Sequence, residues 1–341
     1  MKQWIAQHDT AAFLLITFGI SWPLWLASGT LSRTPIRSPD LSWFVAQIGV
    51  FAPAIAGMAV GACVEKGRAK QALRLLGLVY LPAAALGLWI ATRGFVSFVA
   101  VDAFATWGMV ALAIWILACF SGQRNRMVAW PGSSVDRIQA AIWSAGCLLV
   151  PGLLFAAAWM MTSGTPAGAS GIAPLPVREL TPLGLIAALA MNLTYGGSLG
   201  EEPGWRGAWL PRLLGRHTPL LASLVISFWW ALWHAPIDLT QGFGLSSVGG
   251  LIVRQLWTMP VAVLFTWVTL RTGGSLIPPL LLHTAINAIP DFVMNQPQRY
   301  ERALGIFVVF LLILAAAVTR YDSSLRKSPD AAEPSGRPVG L

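Results

Sequence analysis

The stretch GEEPGWRG (residues 200–207) places Glu201, Glu202 and Arg206 beside a long apolar run, in a chain where only 11% of residues are charged. An ionisable group at membrane depth costs about 2.5–3.5 kcal/mol even on lenient scales, so such groups persist where they are paired, hydrated or functional. Two apolar segments further on carry one histidine each, His234 in SFWWALWHAP and His283 in SLIPPLLLHTAINA, and Asn287 follows His283 by one helical turn. Hydrolysis of an amide needs a base to activate water, donors for the oxyanion and a proton for the leaving amine. Glu201, His234, His283 and Asn287 are the residue types that supply those roles.

Each piece also has a plainer reading. Pro203 is tolerated in a first helical turn, so a helix is expected to begin near Glu201 with its positive end toward the carboxylates. Glu202 and Arg206 then stand four residues apart on one face and can pair, while Glu201 points about 100° away and is left to face a cavity. A salt-bridged helix end that binds nothing explains the same three charges. His234 can be a packed ring, fixed by Trp230 one turn earlier, before Pro236 ends or kinks the helix. His283 and Asn287 can be a polar clamp between helices, worth about 0.6–2 kcal/mol in a membrane. Asp238 reads as an interface residue capping the next turn, with orientation of the site through water as the alternative.

The elements that must position these residues are transmembrane helices. The chain has 341 residues, 56% of them hydrophobic, and a mean hydropathy of +0.65. A backbone in lipid must satisfy its own hydrogen bonds, and long Leu-, Ala- and Val-rich runs lack the alternation of a barrel. The fold class is all-α, a polytopic helical membrane protein with about 8–10 transmembrane helices. Expected spans are 11–30, 42–63, 76–92, 96–120, 139–161, 181–199, 218–235, 250–270, 275–290 and 304–319. The ninth carries Pro278–Pro279 near its start and is read as broken or only partly inserted.

Lys and Arg cluster after the second and fourth spans (Lys66, Arg68, Lys70, Arg74; Arg124, Arg126, Arg137) and beside the motif (Arg206, Arg212, Arg216). That asymmetry predicts N-in, C-in topology with GEEPGWRG on the cytoplasmic side and Arg254 near the opposite interface. It also accounts for the net charge of +9 without nucleic acid, since no basic stripe with interleaved aromatics exists. The partners implied are a peptide or protein substrate and membrane lipid. Cys63, Cys119 and Cys147 fall in apolar segments without CxxC spacing and read as small hydrophobes. The N-terminus reads as a retained first helix, residues 162–175 as an external loop, and residues 321–341 as a disordered cytoplasmic tail. Residues 1–175 form a first group of helices and 176–320 a core that holds the motifs.

In order and on successive segments, the three motifs resemble the CAAX protease and bacteriocin-processing (CPBP, or Abi) family, whose pattern is EExxxR, FxxxH and HxxxN. They read Glu201-Glu202-Pro-Gly-Trp-Arg206, Trp230-Ala-Leu-Trp-His234 and His283-Thr-Ala-Ile-Asn287, with Trp230 where the family usually has phenylalanine. The resemblance covers about residues 180–290 and implies an intramembrane endopeptidase. It implies Glu201 as base on water shared with His234, His283 and Asn287 as the oxyanion site, and Glu202 with Arg206 as a stabilising ion pair. The family is labelled metalloprotease, so Glu201, His234 and His283 are also a candidate zinc set with an open water position. The absence of HExxH and the helix-borne Asn287 favour a metal-independent glutamate mechanism. The Ala-, Leu- and Arg-rich composition is bacterial in character, which places the protein in a bacterial inner membrane. Two other readings remain at this level: a non-catalytic immunity or scaffold protein of the same fold, and a transporter whose path uses Asp102 and Asn192.

Overall fold

The computed structural model describes residues 2–31, 41–64, 137–162, 197–241, 248–292 and 297–327, with scattered positions between 185 and 193. The expected spans 76–92 and 96–120, most of 181–199, the loop 163–175, Cys119 and Asp102 lie outside the described residues. Every regular element among the described residues is a helix. In chain order these are α1 (Lys2–Gln7), α2 (Asp9–Leu31), α3 (Leu41–Val50), α4 (Ala52–Val64) and α5 (Arg137–Met161). A continuous rod follows: α6 (Ser198–Glu202), a π-helical turn (Pro203–Trp209) and α7 (Leu210–Leu214). Then come α8 (Pro219–Trp233), α9 (Ala235–Gln241), α10 (Val248–Arg271), α11 (Ile277–Phe292), α12 (Pro297–Tyr321) and a 3-10 turn (Ser323–Leu325).

Among the described residues, four stretches are long and apolar enough to cross a membrane: Asp9–Gly29, Ile138–Met161, Gly249–Arg271 and Arg299–Tyr321. The protein is an integral membrane protein. Its outward faces agree with this. On α5, Ile138, Ile142, Leu149, Leu153 and Met160 form an exposed stripe at helical spacing, while Cys147, Phe155 and Ala158 point inward and are buried. A helix apolar on both faces suits a lipid exterior and a packed interior at once. The expected span 42–63 is two helices, α3 and α4, separated at Phe51.

Local chemistry sets the helix ends near the motifs. Thr218 caps α8 by accepting from the Leu221 N–H at 3.3 Å, and Pro219 opens its first turn. The helix stops at Trp233, and Pro236 falls in the first turn of α9. Between α10 and α11, Gly273 (φ 63°) and Gly274 (φ 84°) turn the chain, and the Gly274 N–H reaches back to the Thr269 carbonyl at 2.7 Å. Pro278 and Pro279 sit in the first turn of α11, so the helix continues unbroken to Phe292 rather than stopping at them.

The amino-terminal helices are packed against the motif helices. A Cβ on Gly204 would overlap the Pro53 carbonyl, one on Gly200 would meet the Val50 carbonyl, and one on Gly57 would meet the Ala208 side chain. Gly200, Gly204 and Ala208 are spaced by four, the pattern that lets helix backbones approach closely in lipid. The segment 321–327, expected to be a disordered tail, is instead docked. Trp267 Nε1 and Arg271 Nε donate to Asp322 Oδ2 at 2.7 and 2.6 Å, and Leu325 is buried.

Candidate active site

The helix carrying the glutamates starts at Ser198, three residues before the expected position. Gly197 (φ 109°) precedes it, a conformation that favours glycine. The early start puts both glutamates inside the helix, at its junction with the π-helical turn, and buries both. Glu202 Oε1 lies 3.2 Å from Arg206 Nη1, the pair expected from their spacing. The Arg206 guanidinium carbon lies over both the Trp230 and Phe265 rings, 4.6 Å from each centroid. Such contacts favour a desolvated cation by up to about 2 kcal/mol.

Glu202 Oε1 also contacts His283 Nδ1 at 2.7 Å. A carboxylate only accepts, so Nδ1 carries the proton and Nε2 is directed elsewhere. Nε2 faces Gly197: a Cβ built there would lie 3.5 Å from it and would collide with Glu201 Oε1. The missing side chain of Gly197 therefore makes room for Glu201 Oε1 on the side where His283 Nε2 also lies. Thr284 Oγ1 donates to Ser198 Oγ at 3.0 Å and ties α11 to the start of α6.

Glu201 is 4% exposed and is not left free to face a cavity, as spacing alone suggested. The Trp230 indole Nε1 donates to its Oε2 at 2.5 Å. His234 ends α8, and its Nδ1 contacts the Trp230 carbonyl at 2.8 Å. A carbonyl likewise only accepts, so this ring also holds its proton on Nδ1. Trp233 and Trp25 flank the His234 ring at centroid distances of 4.8 and 6.1 Å. Trp25 belongs to α2, so the amino-terminal helices form one wall of the site. Asn287 stands half-buried one turn after His283 on α11.

Residues 182–289, which contain all three motifs, match the Rce1-like family, type II CAAX prenyl endopeptidase Rce1-like. Through this segment the chain is similar to the type II CAAX prenyl endopeptidase Rce1-like family. It is similar to CAAX prenyl protease 2 of Methanococcus maripaludis, 25% identical over 133 residues that make up 37% of this chain and 46% of that protein. The chain thus spans less than half the length of that curated relative.

Within the family segment, Glu201, Glu202, Arg206, His283 and Trp230 form one connected cluster, with His234 joined through the Trp230 backbone. Among the described residues, no three His, Cys, Asp or Glu side chains are grouped to hold a metal ion. The candidate zinc residues Glu201, His234 and His283 are not among such a group. Asp238, expected at an interface, is fully buried, and Arg254 grips it with Nε at 2.8 Å from Oδ2 and Nη2 on Oδ1. Asn192 donates to the Ala188 carbonyl, four residues earlier, at 3.1 Å. Sequence reasoning missed Gly197, Ser198 and Trp25. Only the glycine carried a local signal, as part of the GGSLG run before the glutamates.

Proposed function

We propose that this chain is an intramembrane endopeptidase that cleaves a peptide or protein substrate presented at the membrane. The observation that carries the reading is the approach of Glu201 Oε1 to Gly197, on the side that also holds Nε2 of a histidine whose other nitrogen is held by Glu202. Water placed there gives a proton to Glu201 and attacks the scissile carbonyl carbon. His234 helps to hold that water. The oxyanion is received by the Asn287 carboxamide and by His283, which donates from Nε2 in its imidazolium form. Collapse breaks the C–N bond as protonated Glu201 returns its proton to the leaving amine. Glu202 and Arg206 keep the His283 ring oriented throughout. The proposed chemistry uses side chains alone.

Cleavage of a quenched peptide library by the purified protein tests this, with wild type, Glu201→Gln and His283→Ala run with and without a zinc chelator. Wild type is expected to cleave regardless of chelator, and Glu201→Gln to lose about 10²–10⁴-fold, the range for a positioned general base. Undiminished cleavage by Glu201→Gln removes the mechanism. Loss on chelation transfers water activation to a metal. No cleavage by folded wild type favours the non-catalytic immunity or scaffold reading.

A further inference from the structure

Trp230 touches four members of the site, Glu201, Arg206, His234 and His283. Its indole N–H donates to Glu201 Oε2, its ring lies under the Arg206 guanidinium, and its carbonyl accepts from His234 Nδ1. The same ring meets the His283 imidazole edge-on at 5.6 Å between centroids. The residue is 4% exposed, on a helix whose end is fixed by Pro236 and whose start is fixed by Thr218 and Pro219.

We propose that Trp230 is a positioning residue for the base: its indole N–H holds Oε2 of Glu201 so that Oε1 points toward Gly197, on the side where His283 Nε2 lies. The inference rests on the peptidase reading for its kinetic consequence and on geometry for the hydrogen bond. A glutamate carboxylate turns easily about its last torsion, which has broad wells. A donor on one oxygen removes that freedom and fixes where the other points. The indole is suited to the task because it only donates and cannot compete for the proton that Glu201 takes from water. Phenylalanine, usual at this place in the resembling pattern, fills the volume and keeps a ring face for Arg206 but has no N–H. The base in this chain therefore has a restraint that a phenylalanine at this position cannot supply.

The test has a spectroscopic and a kinetic arm, both on the full-length protein in detergent. With 15N-labelled indoles, the cross-peak missing from Trp230→Phe belongs to Trp230. That peak is expected downfield of the other indoles, and Glu201→Gln, which replaces a charged acceptor by a neutral one, should shift it upfield while the others stay in place. In the kinetic arm, Trp230→Phe should lower kcat by about 10- to 100-fold with KM held within about twofold, as expected for loss of a hydrogen bond to a charged group. A purely structural role predicts an unchanged kcat in folded Trp230→Phe, whatever the indole peak does. An unmoved peak, or wild-type kcat in Trp230→Phe, overturns the proposal. A wild type that cleaves nothing overturns the peptidase reading and with it the kinetic role, while the indole shift still decides the hydrogen bond.

Discussion

Two buried ion pairs lie close to the motif residues, and they are built differently. Asp238 and Arg254 join α9 to α10 through two parallel hydrogen bonds, and the arginine side chain keeps 20% exposure. Glu202 and Arg206 lie one turn apart on one helical rod, fully buried, and share a single hydrogen bond at 3.2 Å. Among the described residues, Arg206 Nε and Nη2 and Glu202 Oε2 have no hydrogen-bond partner. The first pair satisfies itself, as a structural clamp should. The second leaves polar capacity unspent, relies on two aromatic faces, and spends its best hydrogen bond on His283. A pair that serves another residue is less complete than one that serves only the fold.

Breaking each pair sharpens that contrast. Glu202→Ala strands a buried guanidinium and releases His283 Nδ1, so it should cost about 3–5 kcal/mol, the range for an orphaned buried charge, together with turnover. Thermal unfolding in detergent and peptide cleavage check the two halves. Asp238→Ala frees an arginine that can reach solvent, so a smaller loss of about 1.5–3 kcal/mol is expected, with turnover near wild type. A turnover loss as large as that of Glu202→Ala would erase the distinction between a structural and a functional pair.

The smallest effect belongs to a third pair at the surface, Arg271 with Asp322, where the arginine is 49% exposed. Burial pushes the Asp322 carboxyl up, but hydrogen bonds from Ser324, Trp267 and Arg271 outweigh it and hold the group well below the usual aspartate range. Its contribution is therefore full above about pH 4, the ordinary aspartate value, and is lost as pH falls through the depressed one. With solvent screening, Asp322→Ala should cost only about 0–1 kcal/mol near neutral pH. The wild-type advantage over Asp322→Ala should vanish in acid, and an advantage that grew there would reverse the sign of this account.

Much of the site was legible in residue spacing. Four residues separate Glu202 from Arg206, Trp230 from His234 and His283 from Asn287, and one turn of helix fixes each pair on a common face. The lipid setting followed from composition. Spacing did not reveal that Glu201 is held rather than free, because its partner Trp230 lies on another helix. Nor did it reveal that Asp238 is buried, since its partner Arg254 is sixteen residues away on α10. The docking of 321–327 was missed because a polar segment was judged by its own composition, while Trp267 and Arg271 supply its partners.

The sequence by itself determined the class, all-α and membrane-embedded, because hydropathy and backbone hydrogen bonding are local properties. It also determined which side chains share a helical face, because the helical period is fixed. Only the tertiary structure decided that Glu202 turns His283, that Trp230 holds Glu201, and that α2 and α4 wall the site. Those contacts join helices remote in the chain, and which faces meet is set by where small residues such as Gly200, Gly204 and Gly57 let backbones approach.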